Sequence, residues 1–244
     1  MYLKYLSLRK ILKMKTKDII FALIFIIIFL PFFIFPEAFE WFKTMTNEHG
    51  VLMSILKFAI LATMGECLGL RIKTGSYSHQ SFGVLPRAIV WGFLGMFIFF
   101  AFFIFKSGVS ILLEKVFGLE GAIASLQGEL SMTKFITVFC ASTLLNTIFA
   151  PVMMTFHKIT DIHIEQNQGK LSCLLKCIKM ADNFKSINWD VQWGFVFKKT
   201  IPFFWIPAHT ITFLLPSEFQ VLFAALLGVV LGVILAIAGQ MGKK

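Results

Sequence analysis

"IPFFWIPAHTITFLLP", residues 201–216, decides how many times this chain crosses a membrane. The stretch carries no Asp, Glu, Lys or Arg and is apolar enough to enter a bilayer, yet it holds three prolines, two threonines, a histidine and a tryptophan. A proline inside a helix removes a backbone donor and crowds the turn before it, so in lipid the freed carbonyls must find partners on neighbouring groups. At about 100° per residue, Pro202, Trp205, His209, Thr212 and Pro216 fall on one face. Phe204, Ala208, Ile211 and Leu215 fall opposite. The first face is predicted to meet other helices and the second to meet lipid, with Pro207 opening the backbone near the middle. Two roles fit the polar stripe. It can pin helices together by hydrogen bonds, or it can line a hydrated path or cavity, since ionisable groups inside membranes are often functional.

The rest of the chain supports a membrane setting. Of 244 residues, 57% are hydrophobic, 15% are charged and 30 are phenylalanine, with a mean hydropathy of +0.81. A soluble domain could not cover that much apolar surface. The apolar stretches are continuous and do not alternate, which argues against a transmembrane barrel. The predicted class is an all-α polytopic helical bundle with about six spans and a cytoplasmic amphipathic helix. The spans are expected at 19–35, 51–70, 88–105, 135–156, 195–215 and 219–239. Residues 171, 174, 175 and 178 in "KLSCLLKCIKM" recur at helical spacing opposite lysines, so 170–180 is expected to form an interfacial or short soluble helix.

Charge at the segment ends sets the topology. Residues 1–18 hold six Lys/Arg and one acid; 36–50 are net negative, 71–87 positive, 106–134 balanced, and 157–199 positive again. Both termini are therefore expected in the cytoplasm (or matrix); the membrane expected is a bacterial inner membrane. The organisation expected is a basic N-terminus (1–18), an extra first span with its outer loop (19–50), a helical membrane domain (51–239) and a basic tail (240–244). "PEAFEWF" after the first span lacks the small residues a signal peptidase needs, so that span is read as uncleaved. The net charge of +10 is explained by these flanks. No basic stripe with interleaved aromatics suggests nucleic acid. The bilayer is the implied partner, and a homo-oligomer is possible.

Other polar and small residues inside the spans supply the candidate site. Lys57 is expected to reach outward to water. Glu66 is expected either to reach the inner interface or to find a partner on another helix. Asn146 and Pro151 predict an irregular polar patch near mid-membrane that span five could pack against. Ala224, Gly228, Gly232 and Ala236, and likewise Gly65 and Gly69, repeat every four residues, which lets helices approach closely within or between chains. Cys173 and Cys177 lie one turn apart, but two ligands do not make a metal site. No nucleophile arrangement or phosphate loop is visible. The chain is accordingly expected to have no catalytic, metal or cofactor site.

Several of these residues also resemble the Mpv-seventeen / peroxisomal-membrane-protein-twenty-two family of small integral membrane proteins, in a bacterial-type version. The run Trp205, Pro207, His209, Thr212-Phe213, Pro216 and Gln220 is similar to that family's terminal element, with Thr212 and Gln220 where the family has Asn and Arg. "MGE" (64–66) resembles its Gly-Asp element, Arg87 with Gly95 its Arg-to-Gly step, and "LLEKVFG" (112–118) the element after the next span. Asn146 with Pro151 resembles its Asp-Gln…Pro element, with Leu145 in place of the acid. The family's Gly-Pro and Trp-Tyr elements are absent. The resemblance spans 51–239 and implies a weakly selective channel or modulator of small-molecule permeability, with the permeant unspecified. A scaffolding role without transport is the alternative. The polar residues concerned are Glu66, Asn146, Pro151, Trp205, Pro207, His209 and Thr212.

Overall fold

The computed structural model describes residues 15–241, with side chains described for 15–234. The basic residues 1–14 and the terminal Lys243-Lys244 lie outside the described residues. The chain is an all-α bundle, with no strand among the described residues. Its long elements are α1 (Thr16–Ile34), α2 (Pro36–Glu48), α3 (Gly50–Thr74), α4 (Val84–Lys115) and α5 (Met132–Gln166). A π-helical segment, Gln192–Trp205, then runs directly into α6 (Ile206–Leu214), and α7 (Ser217–Met241) follows. Helices α1, α3, α4, α5 and α7 are each long and apolar enough to cross a membrane. The opening stretch falls in the remaining piece. Its two parts, of 14 and 9 residues, are each too short alone, whereas crossing takes about 20 residues.

Prolines explain where regular helix gives way. The π turn Leu145–Phe149 inside α5 sits just upstream of Pro151, and the π segment contains Pro202 and ends just before Pro207. A proline cannot donate to the carbonyl four residues back, so a wider turn there sacrifices less.

α3 is the axis of the bundle. It runs antiparallel to α4, where Ser54 Oγ donates to the Gly95 carbonyl at 2.6 Å. A Cβ at Gly95 would come within 2.6 Å of the Phe58 Cβ, so glycine is what permits this crossing. It runs parallel to α7, where a Cβ at Gly65 would lie 2.9 Å from the Val229 Cα, one at Gly69 would lie 3.5 Å from the Gly232 carbonyl, and one at Gly232 would lie 3.4 Å from the Gly65 carbonyl. The small-residue stripes therefore meet within one chain. Ala224 is buried in the core, Gly228 faces open space, and the Ala236 side chain lies outside those described. Phe58, Leu61, Ile98, Phe102, Val138 and Phe213 form the centre of the apolar core.

The start of α1 is tied to the end of α3 and the residues after it. Arg71 donates twice to the Asp18 carboxylate at 2.7 Å, Lys15 Nζ donates to the Gly75 carbonyl at 3.0 Å, and Phe21 stacks on Tyr77 at 4.7 Å. We call this end of the bundle inner, after the charge pattern. Burial, and a hydrogen bond to the Asp18 carboxylate, push the Tyr77 phenol up to about 12. At the other end of α1, Phe32 meets Phe42 at 5.3 Å.

Three expectations need correction. Residues 36–50 are largely helical: Pro36 starts α2 where its missing N–H is harmless, and Phe39 and Phe42 pack on Phe219. Lys57 does not reach water. It is 7% exposed, donates to Thr46 Oγ1 at 2.9 Å and lies over the Phe42 ring, because α2 folds back across its path. Residues 170–180 form no single helix, only a 3₁₀ turn at Leu171–Leu175 before a short helix at Met180–Lys185. The reason is tertiary. Cys173 is buried and its carbonyl accepts from His163 Nε2 at 2.9 Å, which fixes a tight turn and leaves Leu175 92% exposed.

Candidate functional site

A cavity of about 450 Å³ enters the bundle from the inner end. Inner-end residues Lys73, His79 and Gln192 line its mouth, and Ile98, Phe102 and Ala224 line its deep end. No lining residue comes from α2 or from 106–134. Two polar groups share this space.

The deep group is the one the opening stretch predicts. Asn146 is fully buried in the α5 π turn; its Nδ2 donates to the Ser142 carbonyl at 2.8 Å, and its Oδ1 lies 3.1 Å from His209 Nδ1. A carbonyl oxygen only accepts, so His209 carries its proton on Nδ1. The imidazole packs against Trp205 and Phe102, with ring centroids at 5.2 and 5.4 Å. The Ile206 carbonyl, next to Pro207, accepts from Ser142 Oγ at 2.7 Å and from Thr210 Oγ1 at 2.8 Å. Ser142 thus ties helix α5 to the backbone of the proline-containing stretch.

Other members of the predicted stripe stand elsewhere. Thr212 is fully buried and donates to Ala208 of its own helix, and it does not line the cavity. Pro202 and Pro207 are exposed, while Ala208, expected toward lipid, is buried. A 100° projection drifts at Pro202, which lies in the π segment, whose turns hold more than 3.6 residues. Helix α6 is regular but is covered on more than one face, burying Ala208, Thr210, Thr212 and Phe213. Pro151 ends the π turn without lining the cavity. The Trp205 indole nitrogen is enclosed without a partner among the described residues.

The inner group is a charge cluster around Arg87. This guanidinium, 4% exposed, donates through Nε to the Phe82 carbonyl at 2.8 Å and through its terminal nitrogens to Glu66 at 2.7 Å, Asp161, and Glu165 at 2.9 Å. Glu66 also accepts from Trp91 Nε1 at 2.9 Å and lies 2.8 Å from His157 Nε2. His157 in turn stacks near Trp91 at 4.4 Å. Glu66 therefore has partners on two other helices, α4 and α5, and does not touch His209. The sequence reading did not anticipate Arg87, Trp91, His157, Asp161 and Glu165 as a site. The legible signal was the spacing of His157, Asp161 and Glu165, which puts three polar groups on one helix face.

Two chemical capacities follow. Arg87 has spent most of its donors on protein carboxylates, so it holds α3, α4 and α5 together more readily than it could bind an anion. Glu66, His157 and Asp161 each offer a ligand atom within 4.8 Å of the others, an arrangement that could hold a cation. Comparison with protein-family models, with curated proteins and with solved structures finds nothing that this chain matches.

Proposed function

We propose that this multi-pass membrane protein conducts or gates the passage of small molecules, and that the inner cavity is the cytoplasmic half of its path. One observation carries the reading: the cavity penetrates from the inner end to His209, in the middle of the bundle. Gly228, Leu231 and Gly232 of α7 line it together with Gln192, Val196 and Trp205 of the π segment. The walls are mostly apolar with a few convergent polar groups, as in small-molecule sites. In this reading 192–214 is a sixth span, both termini are cytoplasmic, and the aromatic layer of Phe102 and Phe213, 4.9 Å apart edge to face, closes the outer end. The family resemblance of the sequence supports the same function. Purified protein in liposomes should pass small solutes above the leak of empty vesicles. Folded protein with no flux of ions or small metabolites would count heavily against it.

A scaffolding role is the second reading, favoured by the satisfaction of the deep polar group. Asn146, Ser142 and His209 bond one another and the α6 backbone, as helix glue would. It predicts that His209→Leu lowers stability and changes no flux.

A further inference from the structure

We infer that Glu66, His157 and Asp161 form a binding site for one divalent transition-metal ion. His157 Nε2 lies 2.8 Å from Glu66 Oε1 and 3.5 Å from Asp161 Oδ1. Ligand atoms around a bound ion sit about 2.0–2.2 Å from it, and hence about 3 Å from one another. His157 and Asp161 are four residues apart, on one face of α5, and Glu66 comes from α3. The three ligands are therefore fixed by helices and not by loops. All three line the cavity, so water can fill the remaining coordination positions and the ion can arrive from the inner end.

The surroundings suit an ion as well. Trp91 Nε1 fixes the Glu66 carboxylate. Arg87 Nη1 donates to Glu66 Oε2 and to Asp161 Oδ1, so the ion takes the second lone pair of that Asp161 oxygen or its Oδ2. Such outer partners orient metal ligands. Charge points the same way. Three carboxylates (Glu66, Asp161 and Glu165) surround a single buried guanidinium. A dication bound by neutral His157 balances them. Lys158, 3.9 Å from Asp161, has a side chain 46% exposed and is partly screened by water. Before binding, His157 as an imidazolium donates its Nε2 proton to Glu66. On binding, that proton leaves to water through the cavity, the ring stays neutral with its proton on Nδ1, and the Nε2 lone pair takes the ion. One imidazole with two carboxylates is a donor set that admits Mn²⁺, Fe²⁺ or Zn²⁺.

Mn²⁺ is the probe of choice, because its affinity for the four free thiols is low. Metal-free protein in nanodiscs should bind one Mn²⁺ per chain, counted by the loss of the free-ion electron paramagnetic resonance signal. His157→Gln, which keeps a donor toward Glu66, should weaken binding at least tenfold, whereas His79→Gln at the cavity mouth should leave it unchanged. Trp91→Phe should weaken it about tenfold through Glu66, and it carries the test should His157→Gln fail to fold. Binding unchanged in both His157→Gln and Trp91→Phe, or no stoichiometric binding by folded wild type, overturns the site. The readout is independent of flux, so a protein that binds Mn²⁺ without conducting sinks only the permeation proposal.

Discussion

Gly228→Leu separates a path from a packing defect. A Cβ at Gly228 meets no atom within 4 Å, and the residue lines the cavity. A leucine there adds four carbon groups, each about the size of a water molecule of roughly 30 Å³, so it removes about 120 Å³ of free volume. That is roughly a quarter of a cavity of about 450 Å³, close to its middle. The helix itself should gain up to about 1 kcal/mol from losing a glycine. Gly65→Ala makes the opposite prediction. Its single added carbon would lie 2.9 Å from the Val229 Cα and 3.2 Å from its Cγ2. Backbone cannot step aside as a flexible side-chain tip can, so α3 and α7 must separate, at about 1–3 kcal/mol.

The assay pairs thermal melting in nanodiscs with solute flux in liposomes, on the same preparations. Gly228→Leu should melt at or above the wild-type temperature while flux falls at least severalfold. Gly65→Ala should melt lower. The reasoning about the cavity fails if folded Gly228→Leu conducts like wild type, or if it loses as much stability as Gly65→Ala. An intermediate probe, Gly69→Ala, should be nearly neutral, because its Cβ would stand 3.5 Å from the Gly232 carbonyl, an ordinary contact.

Four further outcomes test the remaining structure. Arg87→Gln leaves the buried carboxylates of Glu66 and Asp161 without their cation, and should cost about 3–5 kcal/mol in reversible unfolding; a loss under about 1 kcal/mol would refute the cluster. Asn146→Leu strands the His209 Nδ1–H and should cost about 1–3 kcal/mol, with clear non-additivity toward His209→Phe in a double-mutant cycle. Tyr77 is neutral in the fold until about pH 12, whereas an unperturbed tyrosine ionises near 10. Its contribution is therefore complete below pH 10 and is lost as pH rises from 10 to 12, so wild type should lose more stability over that window than Tyr77→Phe does. In intact vesicles, the exposed native Cys177 should resist a membrane-impermeant thiol reagent from outside, while Asn47→Cys and Ser217→Cys react; the reverse pattern would invert the topology.

How much the sequence reveals depends on whether a feature is local. Spans two, three, four and six were legible because each is a long, predominantly apolar run, with Lys57 and Glu66 the charges within span two. The observed helices of spans three and four run about ten residues past the expected ends. The Asn146–His209 contact was legible too. A polar residue in each of two antiparallel spans, each beside a proline, has few places to go in lipid except toward the other. Lys57 and the 170–180 segment misled for one shared reason: a neighbour distant in sequence supplied the deciding contact, α2 for Lys57 and His163 for Cys173. The stripe on 201–216 was half right: Pro202 lies in the π segment, where 3.6 residues per turn does not hold, and α6 is covered on more than one face, Ala208 included.

The charge cluster shows why the site itself was harder to read. Glu66 in α3 was visible as an acid without an obvious partner, and Arg87 as a flank residue that the positive-inside rule already accounted for. Only packing unites them. The glycines that draw α3 against α4 and α7 fix its rotation, and that rotation points Glu66 at Arg87, 21 residues on, and at His157 across the bundle. The cavity has the same origin. Pro151 and Pro207 accompany the widened turns of α5 and the π segment, both of which line the cavity, and Gly228 supplies no side chain to fill it. If that account holds, filling the gap from α7 is the least disruptive way to close it. Straightening the chain at the end of the π segment with Pro207→Ala should instead perturb Asn146 and His209 together, lowering stability and flux at once. A Pro207→Ala protein that loses flux but melts like wild type would mean that the proline shapes the path without supporting the fold.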